Sequence, residues 1–441
     1  MAMSLLRTPV GALLLCTSLL LAACGGGTDR TKSQLRLVHA SSGYAQLDLR
    51  VDEQLRQGGV TYGSSASYVE VDPDDTATTV SSSGSATALL SFTPALAAKK
   101  HYTVLAYGAA GVLRHVLLDD NTSAPDSGRA LLRVLNAAAD AGAVDIYLTG
   151  SDEALSAAVP VQSGASFGVL GSWITVNSAN WRLRVTAAGS KTDVRLDVPA
   201  LALPSRHVTT LVLTPGARNA SGLEDGGGLL LGALAVAQQG AVTREDARHA
   251  RVRLAAVVAD SGSVAASVGT LTLGAGVGSP ALAGYQLLAT GSAAVTVSVN
   301  GLPVASPAFT LRAGRDYTLM VHGLLAAARV SWIDDDNRLP SDASRTKLRL
   351  INGLAETAGT LAMTLDFNPV ADSVGVGTAS AYASVAPTTG GGTDGALSVT
   401  APSLPVPVFS ARDQILLPGS VYSVFLVGRQ AAAVGIVRKD R

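Results

Sequence analysis

A few groups of residues in this sequence carry chemistry worth weighing. Gly164-Ala165-Ser166-Phe167-Gly168 fits the G-x-S-x-G pattern of a nucleophilic serine. That chemistry needs a sharp strand-to-helix turn to expose the hydroxyl, then an acid and a histidine further along the chain. His207 and His249 do follow, but no amphipathic helix does, so Ser166 is expected in a strand or turn, with an envelope hydrolase as the alternative. The other histidines, His39, His101, His115 and His322, complete a scattered set of six in which none has H-E-x-x-H spacing. A zinc site needs three or four converging ligands, so His39 and His322, set in apolar strands, are expected to pack with one hydrogen bond each.

The acidic clusters are the better metal candidates. They are Asp72-Pro73-Asp74-Asp75, Asp119-Asp120-Asn121 and Asp334-Asp335-Asp336-Asn337. Calcium takes six to eight oxygens, commonly from Asp and Asn in loops. Asp and Asn also initiate solvated turns by bonding their own backbone, and no D-x-D-x-D-G loop is present. The expectation is therefore no cofactor, with calcium the one metal to consider. Trp173 and Trp181 are the aromatic pair to consider for stacking a sugar, although few polar groups stand near them in sequence. The glycine-rich stretches at 274–278 and 390–392 lack the G-K-[ST] ending of a phosphate loop.

The N-terminus reads as a targeting segment over residues 1–23. Arg7 supplies the positive region, Val10 to Leu21 the apolar run, and Ala22-Ala23 the small-residue cleavage site. An apolar run of about a dozen residues is too short to cross a hydrocarbon core of about 30 Å as a helix. Leu21-Ala22-Ala23-Cys24, followed by three glycines, resembles the lipobox of bacterial lipoproteins. The resemblance implies that the signal is cut before Cys24, which then carries lipid on its sulfur and amine. It implies the outer membrane as destination, because Gly25 is not the aspartate of inner-membrane retention. Two or more acyl chains give a stable anchor. With Cys16 inside the signal and Cys24 lipidated, no thiol remains for a disulfide or a cysteine zinc site.

The rest of the composition sets the scale. At 441 residues, two to four domains are expected. Lys+Arg and Asp+Glu both number 33, which gives no basic stripe for nucleic acid. A chain that is 47% hydrophobic and uncharged overall is not a disordered one.

Four similar openings recur at 35–40, 132–137, 252–256 and 348–353: Leu-Arg-Leu-Val-His-Ala, Leu-Arg-Val-Leu-Asn-Ala, Val-Arg-Leu-Ala-Ala and Leu-Arg-Leu-Ile-Asn-Gly. Some 33 to 35 residues after each opening stand small residues and an aromatic: Tyr68, Phe167, Tyr285 and Tyr382. A later strand begins with Tyr102, Tyr317 and Tyr422, and with Val208 in the second copy. Leu35 to Val252 is 217 residues and Leu132 to Leu348 is 216, so the chain also reads as a duplicated pair. A period near 100 exceeds that of solenoid repeats.

Within each copy, segments such as 47–51, 181–185 and 295–299 alternate apolar and polar residues, which predicts strands with one face buried and one in water. Short helical turns are expected near 95–100 and 152–158. The expected fold is all-β: four tandem, immunoglobulin-like antiparallel β-sandwiches without the Cys…Trp…Cys signature. The expected divisions are a signal at 1–23, a lipidated tether at 24–33, and sandwiches at 34–123, 130–245, 250–340 and 346–441.

The opening of the second copy, with Asp145-Ile146-Tyr147 after it, resembles the hallmark of the family called domain of unknown function 4397. The first copy matches through Val38-His39-Ala40-Ser41 and Leu47-Asp48-Leu49, the aspartate falling 13 residues after the opening leucine in both. The third copy lacks that aspartate and the fourth reads Leu361-Ala362-Met363 there. The resemblance implies a β-sandwich of bacterial envelope and secreted proteins, and no chemistry. The functional expectation is a non-enzymatic, lipid-anchored envelope protein: a spacer, an adhesion or a protein-interaction module. Its partners would be the membrane, through Cys24, and envelope or surface proteins, with no nucleic acid. The alternatives are a hydrolase using Ser166 or a structural component stiffened by calcium, or paired through its strand edges.

Overall fold

The computed structural model describes residues 31–441 apart from 75–76, 217–229, 246–247, 341, 358 and 392–393. The signal segment, Cys24, most of the tether and Asp75 lie outside the described residues.

The chain is all-β. The first copy contains β1 (Ser33–Ala40), β2 (Gln46–Val51), β3 (Gln54–Thr61), β4 (Val69–Val71), β5 (Thr78–Ser82), β6 (Ala88–Phe92), β7 (His101–Tyr107) and β8 (Arg114–Asp119). They form two sheets, ordered β4-β1-β7-β8 and β3-β2-β5-β6. Leu35, Leu37 and Val104 from one sheet and Leu47, Leu49 and Val80 from the other fill the space between them. Three further sheet pairs follow along the chain with their own clusters. In each, the opening strand sits in the same sheet as the late strand: Arg129–Asn136 with Val208–Pro215, His249–Val258 with Asp316–Leu324, and Thr346–Leu354 with Val421–Arg429.

These opening and late strands run parallel, unlike the antiparallel ladders elsewhere. Strands central to a parallel pair are commonly buried on both faces and read as near-continuous apolar runs. That is what β1 and β7 show, being almost wholly buried. The expectation of one wet face holds least well here. Leu35 and Leu37 point into their own sandwich, while Val38 and Ala40 on the opposite face meet Leu135, Ala137, Val212 and Val236 of the second. The third and fourth sandwiches meet likewise, through Ala255, Val257 and Met320 against Ile351, Phe425 and Val427. Two apolar seams therefore join first to second and third to fourth, matching the duplicated pair seen in the sequence spacing.

The late tyrosines close the first, third and fourth sandwiches. The hydroxyls of Tyr102, Tyr317 and Tyr422 each accept a hydrogen bond from the backbone N–H five residues upstream, at 3.1, 3.3 and 3.1 Å. This is akin to the tyrosine corner of immunoglobulin-type sandwiches. The expected helical turns at 95–100 and 152–158 are turns without helix, and the helical element among the described residues is the short 3-10 turn Ala139–Ala141. Among the described residues, no helix is long and apolar enough to cross a membrane.

Candidate functional site

The side chains with the most concentrated chemistry lie at the two seams. The second residue of every opening is an arginine: Arg36, Arg133, Arg253 and Arg349. Strand alternation turns each one outward, away from its own core and toward the partner sandwich. Each donates Nε to a hydroxyl on the adjoining late strand: Thr103 at 2.8 Å, Thr210 at 3.0 Å, Thr318 at 2.7 Å and Ser423 at 2.8 Å. Each guanidinium also covers an aromatic face, at 4.8 Å for Tyr68, 4.1 Å for Trp173, 4.7 Å for Tyr285 and 4.4 Å for Tyr382.

The aromatic of the second copy is thus Trp173 and not Phe167. Register shows why. Val69, Ile174, Gln286 and Ala383 pair with the opening residues Leu35, Leu132, Val252 and Leu348, and the stacked aromatic immediately precedes each of them. A longer connection in the second copy carries Phe167 into the first seam, edge-on to Tyr107.

A carboxylate completes the cluster in three copies. The hydroxyls of Thr103, Thr318 and Ser423 donate to Asp120, Asp335 (2.5 Å) and Asp440 (2.6 Å). Tyr68 and Tyr285 donate to Asp120 and Asp335 at 2.6 and 2.7 Å. In the second copy the corresponding residue is Gln238, two positions beyond Val236, the strand partner of Thr210.

In Arg36, Arg253 and Arg349 the remaining guanidinium nitrogens cross the seam. Arg253 reaches Asp440 in the fourth sandwich, and Arg349 reaches Asp335 in the third. In the first seam, Arg36 donates to the carbonyls of Gly240 and Ala237 at 2.6 and 2.9 Å. Gln238 exchanges two hydrogen bonds with the backbone of Thr122, at 2.7 and 3.1 Å. Burial pushes the Asp335 carboxyl up, but Arg349 and Arg253 hold it below the usual carboxylate range. Burial, then Asp335, pushes the Tyr285 phenol well above its ordinary value.

The structure revises the reading of the acidic clusters as solvated turns. Asp120, Asp335 and Asn337 are buried. Asn337 donates to Asp316 and Tyr285, at 2.8 and 2.9 Å. Asp336 binds Arg338 and Lys347 at 2.9 and 3.0 Å, and Asp334 lies 3.5 Å from Arg315. Asp119 and Asn121 do form a local turn, the Asn121 N–H bonding Asp119 at 2.9 Å. Asp72 pairs with Lys32 at the surface. Among the described residues, no three His, Cys, Asp or Glu side chains gather as a metal site.

The other candidates stand apart. Ser166 follows a strand end at Ala165, and its Oγ donates to the Gly164 carbonyl at 3.3 Å. Among the described residues no hydrogen bond joins it to His207 or His249. Trp181 packs on the second core and donates to the Asn177 carbonyl, so with Trp173 under Arg133 the two indoles form no open stacking face. His39 makes two ring contacts, with the Tyr44 carbonyl at 3.1 Å and the Ser41 N–H at 3.2 Å. His322 contacts the Ser331 hydroxyl at 2.9 Å, and its Nδ1 has no hydrogen-bond partner among the described residues. The hallmark aspartates are staples. Asp48 accepts from the N–H groups of Gly59 and Gly84, and Asp145 from those of Gly164 and Gly189, at 2.7 to 3.1 Å. All four glycines have φ between +62° and +77°.

Sequence reasoning passed over the seam arginines. The available signal was an arginine between two apolar residues at the same place in four opening strands.

Sandwiches joined in pairs by apolar sheet faces, and clasped by buried arginines, define a tandem all-β protein. The chain belongs to the family described as Domain of unknown function (DUF4397), whose sequence model matches residues 33–147 and 250–364, just over half of it. The two matches are equal in length and begin 217 residues apart. Each begins in an opening strand and runs into the second strand of the following sandwich. The third copy, weaker by eye for want of its aspartate, is thus matched as fully as the first. No curated protein matches the chain. Among solved structures, the Bacillus anthracis TIE protein aligns over 87% of this chain and 66% of its own at 10% identity. Its TM-score of 0.14 is too low to bear on the fold.

Proposed function

We propose that this chain is a non-enzymatic, lipid-anchored protein of the bacterial cell envelope, held at the outer membrane through Cys24. Its paired sandwiches act as a spacer or protein-interaction module. The observation that carries the reading is the use made of the reactive side chains. The arginines and aspartates that could bind or transform a ligand are engaged in joining one sandwich to the next, and the threonines, Ser423 and tyrosines brace them from within each sandwich. Ser166, the candidate nucleophile, has its own loop carbonyl as hydrogen-bond partner. The reading invokes no cofactor and no nucleic acid.

Two experiments test it. Cys24→Ser is expected to abolish lipid labelling and release the chain from membranes. Continued labelling and sedimentation with membranes would overturn the anchor. Ser166→Ala is expected to leave hydrolysis of general esterase substrates at the buffer rate, as in the parent protein. A parental activity lost in the variant would establish the hydrolase instead.

A further inference from the structure

The two sandwich pairs meet in a different way from the sandwiches within a pair. Among the described residues, each apolar cluster lies inside one sandwich or in one of the two seams, and none links the second sandwich to the third. Charged groups make that junction instead. Arg251 reaches Asp193 at 2.9 Å while also holding Asp316 with two nitrogens. The C-terminal Arg441 faces Asp140 and Asp193, and burial lowers its guanidinium to about 10.

A cleft of about 970 Å³ opens between the pairs. Val112, Arg114 and Asp140 stand on one wall, and Arg338, Leu339 and Lys347 on the other. The whole lining carries five cationic side chains against three carboxylates, and one of the five, Arg349, is already paired with the buried Asp335 behind the wall. Asp336 is held by Arg338 and Lys347, and Asp334 lies beside Arg315. Asp140 is pushed toward its neutral form by burial, against the pull of Arg441 and Arg338. Arg114 is exposed, rests on the Phe167 face at 5.2 Å and has no hydrogen bond among the described residues. Its planar fork is thus left available, and such a fork matches a carboxylate with two parallel hydrogen bonds. Val112 is 59% exposed beside it, which adds apolar contact. The volume lies at the upper end of ligand sites, which run about 300–1,000 Å³. That is room for several residues of an extended chain rather than for a lone anion.

We propose that this cleft binds an acidic peptide segment. Arg114 takes a carboxylate from one wall, the positive balance of the facing wall draws the acidic chain across the cleft, and Val112 and Leu339 contact the side chains between them. A ligand touching both walls also fastens the ionic junction. The inference rests on the interaction-module reading and gives that module its site and the chemistry of its partner.

The test uses the full chain in detergent and two fluorescein-labelled hexapeptides, alternating Glu-Ala and alternating Lys-Ala, followed by anisotropy. The acidic peptide is expected to bind at least tenfold more tightly than the basic one and to weaken as salt is raised. Arg114→Glu is expected to weaken it tenfold or more with an unchanged unfolding midpoint, since Arg114 lies at the surface. Equal binding of both peptides, binding of neither, or binding indifferent to Arg114→Glu would overturn the proposal. None of these results touches the membrane release expected of Cys24→Ser, so the two readings fail separately.

Discussion

Arg253 and Asp440 lie 187 positions apart in sequence and meet as a buried ion pair across the seam between the third and fourth sandwiches. Arg349 and Asp335 make the same contact in the opposite direction. Charges removed from water cost several kcal/mol each unless geometry and further hydrogen bonds compensate. Here Thr318, Ser423 and Tyr285 supply those bonds. The first seam keeps the geometry with milder chemistry. Gln238 replaces the fourth carboxylate, and Arg36 is satisfied by two backbone carbonyls.

Asp440→Ala leaves the Arg253 guanidinium buried beside a lost partner and is expected to destabilise the third and fourth sandwiches by about 3–5 kcal/mol in chemical denaturation. Adding Arg253→Met should restore part of that loss, because the stranded charge is removed. Gln238→Ala in the first seam breaks neutral hydrogen bonds and should cost about 1 kcal/mol. Equal losses in the two seams would contradict the assignment of the cross-seam ion pairs to one of them.

Acid should destabilise both sandwich pairs. Burial lowers His39 and His322 to about 4 from an ordinary 6.5. Between those values the unfolded chain binds the proton and the folded chain does not, so stability is full above pH 6.5 and falls as pH drops toward 4. A shift of that size corresponds to about 3 kcal/mol per histidine. Urea midpoints measured from pH 7 to pH 4 should fall, and His39→Gln with His322→Gln should flatten the decline.

Asp48→Ala removes the acceptor for two backbone N–H groups, those of Gly59 and Gly84. An expected loss of about 1–3 kcal/mol follows from leaving partly buried donors unpaired. Asp145→Ala should match it in the second sandwich. Asp48 is held below the usual carboxylate range by the two N–H groups, although burial opposes them. Its contribution is therefore present at neutral pH and lost as pH falls below the ordinary carboxylate value.

Gly353 lies where the fourth sandwich packs against the third. A Cβ there would stand 3.1 Å from Val257 Cγ2 and 3.3 Å from Met320 Sδ. Gly353→Val should force the seam apart and destabilise it by about 1–3 kcal/mol. Calorimetry should show the transition of the second pair moving and that of the first staying in place.

Much of the architecture was legible in the sequence because it is periodic. The four openings, the late tyrosines and the 217-residue spacing each left a local mark, and the strands stand where those marks fall. What went unread depends on partners far away in the chain. Alternation in Leu35-Arg36-Leu37 does not reveal that β7 runs parallel to it, nor that Val38 faces another sandwich. Asp335 looks like a solvated turn residue until Arg349, 14 positions on, is seen to bury it. Counting residues gives Phe167 as the marker aromatic of the second copy because it cannot detect a lengthened connection, whereas strand register places Trp173 there.

The position of β1 has a mechanical consequence. It lies between an antiparallel neighbour, β4, and a parallel one, β7. A pull on the chain ahead of Ser33 runs along the axis of β1, so its hydrogen bonds on both sides are loaded in shear and must break together. A strand peeled from a sheet edge would release them one at a time. A protein pulled from its N-terminal side would thus meet the force at a strand held on both edges.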